Sequence, residues 1–380
     1  MTAIKKVLGE RIKNARERLG ISQKILAEKM GFPAHQIISQ IETGVRDIKA
    51  WELSKLAGIL NVDLTDLLTF EKTERNRVVL WRDLPDEDKE EKEAHFQKKC
   101  QEYYQLENAA SMKKYADLPT YNIDIDTIDY KMVNELAIKV TKELDLGQKP
   151  ALALEKVLED QYGVKIWYDD LGDAGSAAST WDSFGPAILM NSRQAPWRRN
   201  YNFAHELFHL IIWKSAPPDI FINDKKLFRK FEKFADAFAS SVLLPAESVL
   251  SEFEKYVNND SISYVDIVNI ARDFDVSTDA LLFRLCNLNR LKKQTVEILR
   301  SDPEFKKTDI STMHEKWKYR NPPDIPERFV KLGFIAYQKG NVSRARLAEY
   351  FNTSLFELKN MFLEYGFNED ENYETQIRTV

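Results

Sequence analysis

The sequence has few of the residues that build thiol-based sites. Only Cys100 and Cys286 occur in 380 residues, too few for a disulfide framework, a four-cysteine zinc site or an iron–sulfur cluster. Histidine is nearly as scarce, with five residues. A metal site in this chain must therefore use histidine nitrogen and carboxylate oxygen, and any clustering of the histidines is informative.

Long apolar runs are also missing. No stretch approaches the roughly 18 residues that a membrane-spanning helix needs. The first 14 residues alternate charged with single apolar residues, which does not build the apolar core of a signal peptide. Hydrophobic residues make up 43% and charged residues 30% of the chain, a mix typical of folded domains. We expect two or three domains, no membrane segment and a cytoplasmic protein.

The net charge of −5 is unevenly distributed along the chain. Residues 1–69 carry eleven lysines and arginines against eight acidic residues, a net charge of +3, which leaves −8 for the remainder. The acidic balance argues against general nucleic-acid binding by the whole chain. A nucleic-acid partner is therefore expected only at the basic N-terminal end.

Residues 1–70 show the pattern of a small bundle of five short helices. Apolar residues recur at helical spacing, Gly20 and Gly31 end the first two helices, and Ser22 caps the second. A third helix is predicted over 34–42, and two more follow by residue 68. A helix, a sharp turn and a second helix within such a bundle form a helix-turn-helix, whose second helix lies in the major groove of DNA.

The predicted recognition helix presents polar side chains if Ile37, Ile38 and Ile41 face the core. Glutamine can pair with adenine through two hydrogen bonds, and histidine or serine can donate to a base or a phosphate. Flanking cations would contact phosphates and set the register. The predicted DNA-binding residues are Ser22, Gln23, His35, Gln36, Ser39, Gln40, Arg46 and Lys49.

This region resembles the XRE (Cro/repressor-like) helix-turn-helix family over about residues 4–69. The shared pattern is Leu19-Gly20-Ile21-Ser22-Gln23, Ala27, Gly31 and Ile41-Glu42-Thr43-Gly44. The resemblance implies a duplex DNA operator as partner. Because the recognition helix has no lysine or arginine, a second interpretation stays open, in which this domain docks a protein and never meets DNA.

Residues 71–125 are predicted to form a charged helical connector. Pro85 opens a long helix that reaches about residue 115 and carries a thin apolar stripe. Two interpretations stay open: a solvated connector packed on one side, or a dimerisation helix, which would make the protein a homodimer.

Residues 291–380 are predicted to be helical and to contain a hairpin like the helix-turn-helix. Ser343-x-x-x-Leu347-Ala348-Glu349 with Asn352 repeats the spacing of Ser22-x-x-x-Leu26-Ala27-Glu28 with Gly31. Repetition of a helical hairpin is most often a packing unit, so we assign no nucleic-acid contact to this copy.

A metal-site motif lies within residues 126–290. His205-Glu206-Leu207-Phe208-His209 occurs in an apolar helix predicted over 198–213. Residues four apart share a helix face about 6 Å apart along the axis, so both imidazoles can reach one tetrahedral zinc ion. This H-E-x-x-H pattern is typical of metallopeptidases, in which the glutamate takes a proton from the zinc-activated water. We predict Glu206 as the catalytic base.

A catalytic zinc needs a third protein ligand and an open fourth position. No cysteine or further histidine lies nearby, so a carboxylate on a facing helix is expected. In the helix predicted over 226–243, Glu232 and Asp236 share one face, and a carboxylate that binds metal or an imidazole N–H is compensated for its burial. We predict one zinc ion per chain, bound by His205, His209 and Glu232, with Asp236 holding a ligand imidazole. The alternative is a surface helix whose acidic residues face water.

Three short β-rich runs at 164–168, 178–181 and 186–190 predict a three-stranded sheet. The expected fold is mainly α, with a small α+β zincin-like domain over 126–290. Hydrolysis of a peptide also needs a donor for the tetrahedral intermediate. The candidate donors are His314, Tyr201, Tyr168 and Arg198.

The two motifs together resemble the ImmA/IrrE metallopeptidase family over about residues 130–290. The shared pattern is Ala204-His205-Glu206-Leu207-x-His209-Leu210, then Glu232-x-x-Ala235-Asp236-x-Phe238-Ala239-x-x-x-Leu243-Leu244-Pro245, and Phe208 stands where glycine is common. The resemblance implies a zinc-dependent endopeptidase that cleaves a partner protein, with a transcriptional repressor as the expected substrate, in a stress, phage or mobile-element response. The alternative is a non-proteolytic transcription factor or antitoxin-like protein whose zinc domain is a sensor or purely structural.

Overall fold

The computed structural model describes residues 2–62, 64, 67, 79–85, 88–112, 116–222, 224–259, 261–317 and 321–369. The chain divides into two compact units. The first consists of Met1–Arg77 and Pro85–Tyr103, and the second of Val78–Leu84 and Tyr104–Val380. Among the described helices, none combines the length and the apolar character that crossing a membrane requires.

The first unit begins with the predicted bundle. Its helices are α1 (Thr2–Arg18), α2 (Gln23–Met30), α3 (Gln36–Glu42) and α4 (Ala50–Ile59). The Ser22 hydroxyl accepts the Ile25 amide and so caps α2, and Gly31 ends it in the left-handed conformation with φ 76°. The predicted fifth helix, over 62–68, lies largely outside the described residues.

A buried carboxylate joins three helices of this bundle. Glu42 accepts hydrogen bonds from Arg16 Nε at 2.6 Å and Nη2 at 3.1 Å, and from Gln23 Nε2 at 2.7 Å. A charge buried without such partners would be costly, so these bonds compensate Glu42 and fix α3 against α1 and α2.

The second unit contains a four-stranded sheet in the order β1-β3-β4-β2. The strands are β1 (Leu80–Trp81), β2 (Lys165–Asp169), β3 (Ala177–Asp182) and β4 (Gly185–Asn191). β2 and β4 are parallel, whereas β3 is antiparallel to both β4 and β1. The sequence predicted a sheet of three strands, β2 to β4. The β-rich run at 78–81 is a possible strand by composition, and the structure pairs its Leu80 and Trp81 with β3 as the fourth strand.

The helices around and after the sheet include those predicted over 198–213 and 226–243. They are α5 (Lys89–Ala110), α6 (Tyr130–Glu143), α7 (Leu154–Lys156), α8 (Pro196–Ile212), α9 (Asp219–Ile222), α10 (Lys225–Leu243), α11 (Ala246–Tyr256), α12 (Tyr264–Asp273), α13 (Thr278–Asn287), α14 (Lys293–Ser301), α15 (Pro303–Trp317), α16 (Glu327–Gln338), α17 (Arg344–Tyr350) and α18 (Leu358–Glu364). α7 is flanked by a 3₁₀ turn (Pro150–Leu152) and a π turn (Val157–Gln161). Pro150 lacks an amide hydrogen, and the Val164 amide bonds the Leu158 carbonyl at the entry to β2.

The centre of the second unit is a three-layer arrangement. α8 packs on β3 and β4 on one side and on α10 on the other, and α10 also packs on α6. Nearly all of α8 is buried, including its polar residues. The candidate metal ligands on α8 therefore lie between the sheet and α10.

The long helix α5 spans the boundary between the units at Tyr103. Of its apolar stripe, Phe96, Cys100, Tyr103 and Leu106 are buried within the single chain, whereas Tyr104 is exposed. Because the chain itself covers most of the stripe, a packed connector is favoured over a dimerisation helix, and the homodimer stays a prediction.

The C-terminal helices attach to the β2 edge of the sheet. Phe329 packs edge-on against Trp167, and Glu107 bonds both Lys165 Nζ at 3.0 Å and Arg328 Nη1 at 2.8 Å. The predicted hairpin is present, since Ser343 caps α17 and Asn352 takes a positive φ of 50° before α18.

We predict opposite effects for two helical glycine substitutions in the bundle. A Cβ at Gly9 would lie 2.4 Å from the Glu42 carbonyl oxygen, so Gly9→Ala should destabilise the bundle by roughly 1–3 kcal/mol. A Cβ at Gly58 meets nothing within 4 Å, so Gly58→Ala should stabilise it by about 0.5–1 kcal/mol. Amide hydrogen exchange of α1 and α3 in the full chain measures both effects. Equal protection in the two variants would contradict the close approach of α1 and α3.

Candidate metal centre and nucleic-acid interface

The candidate metal centre begins with three buried polar residues on α8. Pro196 starts this helix without losing a hydrogen bond, and the apolar residues that follow place it in the core. His205 is 1%, Glu206 0% and His209 3% exposed. Because buried polar groups need partners, their contacts identify the chemistry of the site.

Two histidines and one carboxylate converge as the sequence predicts. Glu232 Oε2 lies 3.3 Å from His205 Nε2, and Glu232 Oε1 lies 3.1 Å from His209 Nε2. The two Nε2 atoms are 3.3 Å apart. Ligand atoms about 2.0–2.1 Å from a tetrahedral zinc ion are separated by about 3.3 Å, so this donor set fits zinc.

Asp236 sets the orientation of His205. Its Oδ1 lies 3.0 Å from His205 Nδ1. An ionised carboxylate only accepts, so Nδ1 carries a hydrogen, and Nε2 is the nitrogen that can bind a metal ion once its own proton has left. Burial acts to lower the pKa of His205, but hydrogen bonds to Asp236 and Glu232 raise it to about 9. Without a metal ion, His205 therefore holds a proton in the place where a cation would bind.

Glu232 is suited to ligate a cation. Burial acts to raise its pKa, but the hydrogen bonds from His205 and His209 outweigh burial and lower the pKa to about 2. The carboxylate is therefore ionised across the physiological range.

Glu206 is held by a residue that the sequence did not indicate. Ser179 on β3 donates its hydroxyl hydrogen to Glu206 Oε2 at 2.7 Å. Oε1 is buried and has no hydrogen-bond partner among the described residues. Burial also raises the pKa of Glu206, which makes the carboxylate a better proton acceptor. One oxygen is thus fixed and the other is left for a proton.

Phe208 explains how α8 and α10 pack. This residue, where glycine is common in the resembled family, is fully buried and contacts Phe231 and Phe238 of α10, with ring centroids 6.5 Å and 5.4 Å away. The aromatic layer holds the helices together next to the ligands.

Arg82 makes a second contact that the sequence did not indicate, with Asp236. Its Nη2 lies 3.3 Å from Asp236 Oδ1, and its Nη1 donates to Asn202 Oδ1 at 2.5 Å. Arg82 follows the two-residue strand β1, and no motif around it predicts a contact 154 residues away.

Of the four candidate oxyanion donors, the structure describes the side chains of Tyr201, Tyr168 and Arg198. Tyr201 donates to the Asp236 carbonyl oxygen at 2.8 Å, and the Tyr168 hydroxyl bonds Glu155. Arg198 is exposed on α8. The side chain of His314 lies outside the described residues. The oxyanion donor stays a prediction.

The candidate nucleic-acid interface lies on the second helix of the helix-turn-helix. Ile38 and Ile41 of α3 are buried and Ile37 is half-buried, whereas Gln36 and Gln40 are exposed. His35, directly before α3, is exposed, and Ser39 is half-buried. The polar face predicted from the spacing is therefore the accessible one.

The other predicted DNA contacts take part in bonds within the domain. Gln23 donates to Glu42, and Arg46 makes a forked pair with Glu52 at 2.7 Å and 3.1 Å. Ser22 caps α2, and the Lys49 backbone amide bonds Glu52 at 3.0 Å at the start of α4. Ser22 and Lys49 are exposed, whereas Gln23 and Arg46 are half-buried, so Ser22 and Lys49 are the more accessible of the four residues.

Two regions of the chain match known families. Residues 159–286 match the family described as Peptidase_M78, IrrE N-terminal-like domain, and residues 12–67 match the helix-turn-helix family HTH_3. A search of curated proteins finds no match.

Solved structures give weaker similarities. A Mycobacterium tuberculosis transcriptional regulator is 18% identical over 52% of this chain and 53% of its own, with a TM-score of 0.32. Bacillus thuringiensis PlcR in complex with the peptide PapR7 and DNA is 13% identical over 89% of this chain and 99% of its own, with a TM-score of 0.17. The chain thus spans about half of the mycobacterial regulator. Residues 12–67 are therefore similar to an XRE-type helix-turn-helix domain, and residues 159–286 to an IrrE-like domain of the M78 peptidase family.

Proposed function

We propose that this protein is a DNA-binding regulator whose second domain is a zinc-dependent endopeptidase that cleaves a partner protein, with a transcriptional repressor as the expected substrate. The observation that carries the proposal is the convergence of His205, His209 and Glu232 beside a buried Glu206 with one unpartnered oxygen. The match to the IrrE-like family supports the same chemistry.

Each residue of the centre has a distinct task in hydrolysis. Zinc bound by His205, His209 and Glu232 would supply Lewis-acid activation of water. Glu206 Oε1 accepts the proton of the attacking water, because Ser179 already occupies Oε2. The same carboxyl group then donates this proton to the leaving amine. Asp236 keeps His205 in the tautomer that can bind the metal.

The number of donors favours catalysis over a structural zinc site. Within the described residues, the group that can hold a metal contains three donors, His205, His209 and Glu232. A structural zinc is enclosed by four protein ligands, whereas a catalytic zinc keeps one position for water or substrate. A measured zinc site with four protein ligands would support the sensor or structural alternative.

The first domain supports an operator-binding role. Its accessible α3 face carries glutamine and serine, which read base edges by hydrogen bonding. Residues 1–69 also carry a net charge of +3, whereas the remainder of the chain is acidic. Duplex DNA is therefore the proposed partner of this domain. We place the DNA-reading groups at His35, Gln36, Ser39 and Gln40.

We predict that Glu206→Gln keeps one zinc ion per chain and abolishes cleavage. The amide preserves shape and leaves the three ligands intact but cannot accept the proton, so the cleavage rate should fall about 10²- to 10⁴-fold. Zinc content is measured on the purified protein, and cleavage on proteins encoded by neighbouring genes, followed by mass spectrometry.

The matched control is Glu247→Gln, which changes an exposed glutamate of α11 and should leave both zinc and cleavage unchanged. Cleavage retained by Glu206→Gln would refute the assigned base. Failure of the wild-type chain to bind zinc at all would refute the peptidase.

Zinc affinity should rise with pH in a defined direction. The metal-free His205 has its pKa raised to about 9, and zinc must displace that proton, whereas Glu232, with a pKa near 2, is already ionised. Below about pH 9, affinity should therefore increase about tenfold per pH unit. Competition with a chelator of known pH dependence measures it. His35→Asn, which changes an exposed histidine outside the centre, should show the same slope, and a pH-independent affinity would contradict the raised pKa.

Specific DNA binding should depend on the two exposed glutamines of α3. Gln36→Ala and Gln40→Ala should each weaken operator binding by about 1–3 kcal/mol, because each removes a base-edge contact. The salt dependence should be unchanged, since neither residue neutralises a phosphate. Operators selected from genomic DNA provide the assay, and Gln294→Ala, an exposed glutamine of α14, is the control. Equal loss on unrelated duplexes would argue against base readout.

A further inference from the structure

The segment Val79–Asp83 follows the helix-turn-helix domain in sequence but belongs to the second unit in structure. Within it, Leu80 pairs with Ser179 and Trp81 with Ala178, and the Arg82 amide donates to the Ala177 carbonyl at 3.1 Å. The side chains of Val79, Leu80 and Trp81 are buried. The segment is therefore fixed along the strand that carries Ser179, the partner of Glu206.

Arg82 projects from this segment to the carboxylate that holds a metal ligand. Its Nη2 lies 3.3 Å from Asp236 Oδ1, the same oxygen that lies 3.0 Å from His205 Nδ1. Its Nη1 donates to Asn202 at 2.5 Å, and its guanidinium carbon lies 5.2 Å from the Tyr201 ring centroid. Three different groups thus fix the position of one guanidinium.

A chain of side-chain hydrogen bonds returns from Asn202 to the neighbouring residue Asp83. Asn202 Nδ2 donates to Gln194 Oε1 at 2.6 Å, and Gln194 Nε2 donates to Ser176 Oγ at 3.0 Å. The Ser176 hydroxyl then donates to Asp83 Oδ2 at 2.7 Å. The two consecutive residues Arg82 and Asp83 are therefore the two ends of one network of side-chain hydrogen bonds next to the candidate metal ligands.

The network matters because Asp236 is not held by burial. Its side chain is 47% exposed, whereas His205 is 1% exposed. Water competes for an exposed carboxylate, and a rotation of Asp236 into solvent would leave His205 Nδ1 without its partner in a buried site. The guanidinium fork of Arg82 restricts that rotation.

We propose that Arg82 is a positioning residue of the metal centre. It holds Asp236 and, through Asp236, fixes the ring of His205, so that the segment joining the two domains completes the site. The matched IrrE-like region, 159–286, does not contain this arginine. This role rests on the proposed zinc function and adds to it that Arg82 acts on the metal ligand His205 through Asp236.

The test is a double-mutant cycle on the zinc affinity of the full chain, measured by chelator competition. Asp236→Ala should weaken zinc binding by about 10- to 100-fold, and Arg82→Ala by about tenfold. In the Asp236→Ala background, Arg82→Ala should add no further loss, because Arg82 acts through Asp236. Arg82→Lys should fall between wild type and Arg82→Ala, since an ammonium cannot bridge Asn202 and Asp236 in the same way.

Two controls separate positioning from general damage. Arg290→Ala removes an arginine from an exposed pair with Glu254 and should leave zinc affinity unchanged. The thermal midpoint of each metal-free variant reports folding, and if Arg82→Ala does not fold, Arg82→Lys in both backgrounds provides the same cycle.

The outcomes distinguish this inference from the proposed function. If Arg82→Ala binds zinc as tightly as wild type or more tightly, the inference about Arg82 is overturned and the proposed peptidase is not. An equal loss of zinc affinity with and without the Asp236 side chain has the same meaning. A wild-type chain that binds no zinc overturns the proposed peptidase together with this inference.

Discussion

The candidate metal centre depends on one buried histidine whose two ring nitrogens have different partners. His205 Nδ1 is bound to Asp236, and its Nε2 faces Glu232 and His209. A buried imidazole can present a lone pair to a metal only if its other nitrogen carries the hydrogen and has an acceptor. The surrounding structure satisfies this condition: α10 supplies both carboxylates four residues apart, and the Phe208 contacts hold α10 against α8.

Polar groups at the centres of both units follow the same physical rule. In the first unit, buried Glu42 bonds Arg16 and Gln23, which fixes α3 while its glutamines remain exposed. In the second unit, β3 buries Ser179 against Glu206. Because unpaired groups in these positions would be costly, each pairing fixes one arrangement of the helices. The accessible face of α3 and Oε1 of Glu206 both remain available to external partners.

The connection between the domains is part of this polar framework. A linker would ordinarily be defined by composition and expected to be solvated. Here residues Val79–Asp83 complete a sheet edge, and Arg82 reaches the carboxylate that orients His205. The domain boundary in the sequence and the boundary of the metal centre are therefore different, which agrees with the division of the chain into an N-terminal unit and a second unit that includes this segment.

The sequence alone determined the helix-turn-helix, the helices that carry His205, Glu206, His209 and Glu232, and the polar face of α3, because each depends on spacing within one helix. Glu232 could be named as a candidate ligand from the sequence because it shares a helix face with Asp236. Its distance from the two histidines could not be predicted. Only the tertiary structure decided the contacts of Ser179, Asn202 and Arg82, and the pairing of β1 with β3. These residues act through contacts between segments far apart in sequence, where no local period or propensity indicates the partner.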